Sequence, residues 1–156
     1  MKKLKNFEIF NEKMRNKTII FVFLGLLLLL NACKSESFVI INDEIKVNVE
    51  VADTSEKRAT GLMFREVLDE ESGMLFVFQW QDYYSFWMKN TLIPLDMIWI
   101  SEDMEIVDIQ QTEPCKENPC SSYKPNAPGK YVLEVNQGFA SRNNIEIGDK
   151  IVLDLN

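Results

Sequence analysis

The chain of 156 residues contains no histidine. That absence excludes a Ser-His-Asp or Cys-His nucleophile pair, an imidazole acid or base near neutral pH, and any histidine metal ligand. Cysteine is scarce, at three residues, Cys33, Cys115 and Cys120. Once Cys33 is set aside for the lipid role argued below, the two thiolates that remain do not complete a zinc site without histidine. Positive charge is in the minority. The 17 Lys and Arg stand against 24 Asp and Glu, a formal net charge of −7, which argues against non-specific binding to a phosphate backbone. Long apolar runs are missing as well: the longest covers 13 residues, 18–30, short of the roughly 20 that a simple membrane-spanning helix needs. The rest is of ordinary globular composition, 46% hydrophobic, and its length suits one domain with a core.

What is present begins with an address. Met14-Arg15-Asn16-Lys17 leads into T-I-I-F-V-F-L-G-L-L-L-L-L, the positive n-region and short apolar h-region of a signal peptide. Leu30-Asn31-Ala32-Cys33 then resembles a bacterial lipobox. In such lipoproteins the cysteine takes a diacylglycerol, the signal is cut before it, and the new amino terminus is acylated. The resemblance implies a signal peptide over 1–32, with Met14 as a more compact start. It makes Cys33 the lipidated first residue, 33–37 a tether, and 38–156 a single globular domain held at the cell envelope, facing the periplasm or exterior. More than one acyl chain is needed for stable anchoring. An uncleaved anchor with Cys33 as a bystander is the plainer alternative. Removing 1–32 takes away six basic and two acidic residues and leaves 11 against 22, a net charge of −11. That charge favours solubility and repels anionic lipid and nucleic acid.

Beyond the address, Ile45, Val47, Val49 and Val51 alternate with Lys46, Asn48 and Glu50, the period of a strand over 45–52. A partner strand is expected over 38–42, with a turn at Asp43-Glu44. Asp53-Thr54-Ser55-Glu56 has helix-cap character, Asp53 at the cap and Glu56 three residues on, so a short helix should run to about Phe64. Ser72-Gly73 reads as a turn before the apolar run 74–78. Further strands are expected over 84–88, 96–101, 105–110, 131–136 and 150–155, a second short helix over 137–144, and a loop over 114–129. The fold class is α+β, β-dominated: a barrel-like mixed sheet with two short helices.

Five side chains stand out as candidate ligand-binding residues. Arg58 and Arg65 lie seven residues apart, two turns of a helix, with forks suited to carboxylate or phosphate. Pairing with the chain's own carboxylates is the plainer role for either. The stretch 83–96 is dense in aromatics and then sets Lys89, Asn90, Thr91 and Asp96 around Pro94. Trp87 and Trp99 are core residues more often than stacking platforms. Asp96 opens an apolar strand, and a part-buried carboxylate needs a partner, which Arg58, Arg65 or Lys89 could supply. Cys115 and Cys120 are expected to form a structural disulfide, with a dithiol or redox role as the sharper alternative.

These motifs resemble those of the prokaryotic "domain of unknown function 192" family. The similar segments are R-A-T-G-L-M-F-R (58–65), G-M-L-F-V-F (73–78), F-W-M-K-N-T-L-I-P-L-D (86–96), Y-V-L-E-V (131–135) and I-G-D-K-I (147–151). The resemblance implies a small, mostly β, barrel-like domain that commonly follows a signal peptide or lipid anchor. It implies no established activity, cofactor or substrate. Three readings follow. A binding module would use Arg58, Arg65, Lys89, Asn90 and Asp96 for a small anion or an envelope glycan. An accessory or assembly protein would present Trp87, Met88 and nearby aromatics to a protein partner. A histidine-free hydrolase or transferase would use Asp96 with Lys89, or Glu134, as acid and base. No catalytic residue, metal set, cofactor or nucleic-acid partner is assigned.

Overall fold

A computed structural model describes residues 36–156. The expected signal peptide over 1–32, the expected lipidation at Cys33 and most of the expected tether over 33–37 lie outside the described residues. Among the described residues nine strands and two short helices follow one another: β1 (Ser37–Ile41), β2 (Ile45–Ala52), α1 (Ser55–Thr60), β3 (Ser72–Asp82), β4 (Phe86–Trp87), β5 (Leu95–Ile100), β6 (Ile106–Thr112), β7 (Ser122–Tyr123), β8 (Gly129–Asn136), α2 (Phe139–Arg142) and β9 (Ile151–Asp154). Among the described residues no helix is long and apolar enough to cross a membrane.

Alternation drives the first hairpin. Val39, Ile41, Val47 and Val49 are buried on one face, and Asn42 and Asp43 at the turn take the left-handed backbone that short polar residues tolerate. The helix after β2 is shorter than the sequence suggests. Thr54, not Asp53, accepts the capping bond, from the Lys57 amide at 3.2 Å, while Asp53 pairs with Lys57 Nζ at 2.7 Å. Gly61, at a φ of 49°, ends α1. No α1 residue is buried, so packing gives no reward for extending it to Phe64.

Seven strands form one sheet in the order β6-β5-β8-β3-β2-β1-β9, with β2 and β3 parallel and the other pairs antiparallel. The sheet curls into a half-barrel, as the β-dominated α+β expectation requires. At one end its edges meet: Glu105 bridges Lys150, and amide bonds from Ile106 to Asp149, Gly148 to Ile106 and Ile151 to Met104 tie the start of β6 to the approach to β9. Strands β4 and β7 form a separate pair. The expected strand over 84–88 contracts to β4, the loop over 114–129 contains β7, and the second helix contracts to α2.

Two cores result, one on each face. Inside the curl, Val39, Ile41, Val47, Leu75, Ile98 and Leu133 pack with residues from every other strand of the sheet, and Phe139, Ala140 and Ile145 plug it. On the outer face of β3, β8 and β5, Met74, Phe76, Met97, Trp99 and Val132 are covered by Leu62, Met88 and the aromatic segment around Phe86. Phe86 meets Phe76 edge-on at 4.9 Å and Trp99 at 6.1 Å. Trp99 is fully buried and donates its indole N–H to the Tyr84 carbonyl at 3.1 Å.

Ser72 and Gly73 do not turn the chain; both lie in β3. The glycine is there for close approach, because a Cβ on residue 73 would come within 2.6 Å of the Glu134 carbonyl and 3.0 Å of a Val135 methyl. Gly73→Ala is therefore expected to force β3 away from β8 and lower stability by about 1–3 kcal/mol, measured as a reduced urea midpoint with an unchanged slope.

Candidate functional site

The aspartate that opens β5 is fully buried. Its partner is not a cationic side chain, as the sequence suggested. Asp96 Oδ1 accepts the Gly138 amide at 3.0 Å and Oδ2 accepts the Ala140 amide at 2.9 Å. The carboxylate thus holds the first turn of α2, where orphan amides need an acceptor. Arg58 lies at the α1 end of the outer face, donates to the Asp53 and Val77 carbonyls at 2.7 and 2.9 Å, and covers the Phe78 ring at 5.2 Å. Arg65 pairs with Glu50 at 2.6 Å. That hydrogen bond holds the guanidinium pKa above its ordinary value, although a pair this exposed adds little stability.

Lys89 and Asn90 do come together. With Trp87 they line one side of an open depression of about 420 Å³, whose other side is the 115–120 loop. That loop is closed by a Cys115–Cys120 disulfide with a Cα separation of 5.6 Å, and the Cys115 amide is tied to the Met88 carbonyl. The Lys89 ammonium sits 5.1 Å from the centroid of the Trp87 ring, and half of Trp87 is exposed. Lys116 adds a second positive charge to the same rim and Glu117 one negative charge. Of the remaining candidates, Arg65 lines a different depression beside α1, while Arg58 is engaged with carbonyls and Asp96 is enclosed.

Glu134 occupies the middle of β8 and is only 5% exposed. It points to the outer face, two residues from the buried Val132. Strand register sets Met74 of β3 on one side of it and Met97 of β5 on the other. Among the described residues no protein hydrogen bond reaches its carboxyl. Burial pushes Glu134 up to about 8, so it holds its proton at neutral pH. Its charge type within an apolar strand is visible in Y-V-L-E-V; the flanking methionines are not, because register is a property of the folded sheet.

A profile of the DUF192 family, described as Uncharacterized ACR, matches residues 38–153. The chain belongs to that family. DUF192 relatives include a UPF0127 protein of Pyrococcus furiosus, 27% identical over 69% of this chain and 88% of that protein. Another, from Pyrococcus abyssi, is 29% identical over 72% and 95%. Two crystal structures share the fold. A protein of unknown function from Novosphingobium aromaticivorans is 35% identical with a TM-score of 0.68, over 74% of this chain and 83% of that one. A candidate transcription regulator from Sinorhizobium meliloti is 33% identical with a TM-score of 0.69, over 76% and 92%. The DUF192 match spans every strand of the described domain, so the depression and the Glu134 row both sit within the family's domain.

Two outcomes check the roles of the buried carboxyls. Asp96→Ala leaves two amides without their acceptor and should lower stability by about 1–3 kcal/mol, read from urea unfolding. Glu134→Gln should act in the opposite direction near neutral pH. Above about 4.5, the ordinary carboxyl value, the unfolded chain has released a proton that the native chain retains until about 8. Stability therefore falls with rising pH across that window. The glutamine variant should melt at a higher temperature than the parent at pH 7–8, with the difference vanishing below pH 4.5.

Proposed function

We propose that this DUF192 domain is a ligand-binding module whose site is the depression between Trp87, Lys89, Asn90 and the disulfide loop, and whose ligand is an anionic saccharide. One observation carries the reading: two lysines, against the single acid Glu117, and a half-exposed indole line one concavity in a chain of net charge −7. An indole face accepts the C–H face of a sugar ring, ammonium groups accept carboxylate or phosphate substituents, and Asn90 supplies both a donor and an acceptor for hydroxyls. The disulfide holds one wall in place, which reduces the ordering cost of binding. Arg58, Arg65 and Asp96 are assigned structural roles in this reading. Asp96 gives no support to hydrolase or transferase chemistry, since both oxygens are taken by amides and no solvent reaches them.

The address at Leu30-Asn31-Ala32-Cys33 completes the proposal: a lipid-anchored envelope protein whose acidic surface keeps the domain off anionic headgroups. The regulator description of the Sinorhizobium relative is not carried over, because the same acidity opposes DNA binding. A protein partner is the second reading, and Phe64 favours it. That residue takes a φ of 63°, an unfavourable backbone for a bulky side chain, yet leaves its ring 68% exposed. Its amide bonds the Asn90 carbonyl at 2.8 Å, next to the same depression.

Calorimetric titration of the full chain with oligogalacturonate, with a neutral galactan and with inorganic phosphate separates these readings. Saccharide binding predicts heat with oligogalacturonate, less with the other two, and a roughly tenfold loss of affinity in Trp87→Ala and in Lys89→Ala. Equal heats from both variants and the parent would place the ligand elsewhere. Silence from all three probes would shift the weight to a partner on Phe64.

A further inference from the structure

The feature that the binding reading does not use is the row Met74, Glu134, Met97. The three residues lie directly opposite one another on β3, β8 and β5, and neighbouring strands are about 4.8 Å apart. The two methionine Cα atoms therefore stand about 10 Å apart, with the glutamate between them and all three side chains on the outer face. Methionine has three rotatable bonds, enough for both sulfurs to swing toward a common point above the carboxyl.

Glu134 calls for an explanation that packing does not give. Its neighbours in β8 are Val132, Leu133 and Val135, all buried, and a further aliphatic residue would fill the same place without the desolvation that a carboxyl suffers there. The sulfurs are distinctive as well. Of the five methionines in the described residues, Met74, Met88 and Met97 pack in the outer core. The Met88 sulfur already accepts the Thr112 hydroxyl at 3.4 Å, whereas among the described residues those of Met74 and Met97 accept nothing. Met74 also lines the open depression beside Arg65, together with Glu50, the next residue in the same row on β2. That depression leads from solvent to the edge of the row.

We propose that Met74, Glu134 and Met97 form a site for a soft monovalent cation of the Cu(I) or Ag(I) class, with two thioether sulfurs and one carboxylate oxygen as ligands. Thioethers favour such ions over zinc, calcium or magnesium, which would take imidazole, thiolate or several oxygens. On binding, the O–H bond of the Glu134 acid breaks, its proton leaves to water, and the oxygen forms the bond to the cation; no electron is transferred. The ion then becomes the partner that the carboxylate lacks among the described residues.

The test uses Ag(I), which needs no reductant and leaves the disulfide intact. The full chain carrying Cys33→Ser, so that no thiol lies outside the disulfide, is labelled with ¹³C at the methionine methyls and titrated in chloride-free buffer. The expected result is a shift of the Met74 and Met97 signals, assigned through Met74→Leu and Met97→Leu, complete near one equivalent, with Met104 unmoved. Glu134→Gln should weaken the apparent affinity roughly tenfold or more. Met→Leu changes conserve volume, and the unshifted Met104 methyl reports that each variant is folded. Silver that moves Met63 or Met88 and leaves Met74 and Met97 in place overturns the site. So does unchanged affinity in Glu134→Gln. Both results are independent of saccharide binding at Trp87.

Discussion

The contact on which the rest of this domain depends is the pair of hydrogen bonds from the Gly138 and Ala140 amides to Asp96. Strand β5 pairs with β8 along its whole length, and the chain leaving β8 must reverse at once to reach β9 on the far edge of the sheet. Asp96 fixes that reversal. It anchors α2, and with it Phe139 and Ala140 as a plug for the interior, and so directs the segment that continues through Ile145 to the Glu105–Lys150 bridge where the two edges meet. A half-barrel with open edges would expose unpaired amides on β6 and β9; here the closing bonds lie downstream of one buried carboxylate. This is a stricter role than an ion pair, since two backbone donors at fixed positions accept no other geometry.

Curling also decides where chemistry can occur. The interior face is apolar and plugged by Phe139, Ala140 and Ile145, so it offers a ligand few polar groups. The outer face of β3, β8 and β5 must be covered by something other than the sheet, and the cover is made of irregular segments: the 61–71 stretch, the aromatic 83–95 stretch and the disulfide loop. Depressions form where such segments abut. That is why Lys89 and Asn90 share a concavity with Cys115–Cys120 although 25 and more positions separate them in the chain, and why the Arg65 concavity opens on Met74.

Much of this fold was legible in the residues, and the misses share a cause. Strand β2 was bounded correctly because Val47 and Val49 alternate with polar neighbours, and β5, β6, β8 and β9 fell within two residues of expectation because apolar patterns survive wherever one face is buried. Gly73 was misread as a turn residue because glycine serves both φ freedom and close approach, and only the neighbouring strand distinguishes them. The aromatic segment was read as a longer strand than β4, since its rings pack through edge contacts that need no ladder. Among the candidate site residues, Lys89 and Asn90 were adjacent in sequence and remained together. Asp96 was singled out correctly as a buried carboxylate, but its partners lie 42 and 44 residues away on the backbone, where no side-chain pattern marks them.

The same limit explains why methionine is easily passed over. In a sequence, Met74 and Met97 are core residues and nothing else, and their alignment on either side of Glu134 exists only once β8 has inserted between β3 and β5. Insertion of that kind follows from the crossed strand order and cannot be read from local periodicity. It also sharpens the meaning of Glu134. An acid at a strand end can turn freely to water, but one in the central strand of three is held by ladders on both sides and keeps only a small solvent contact beside its flanking residues. Because those flanking residues are thioethers, weak acceptors that offer a carboxyl no proton donor, nothing in the row rewards its ionised form. Burial therefore favours the neutral acid, and a group that binds the row would have to reverse that preference.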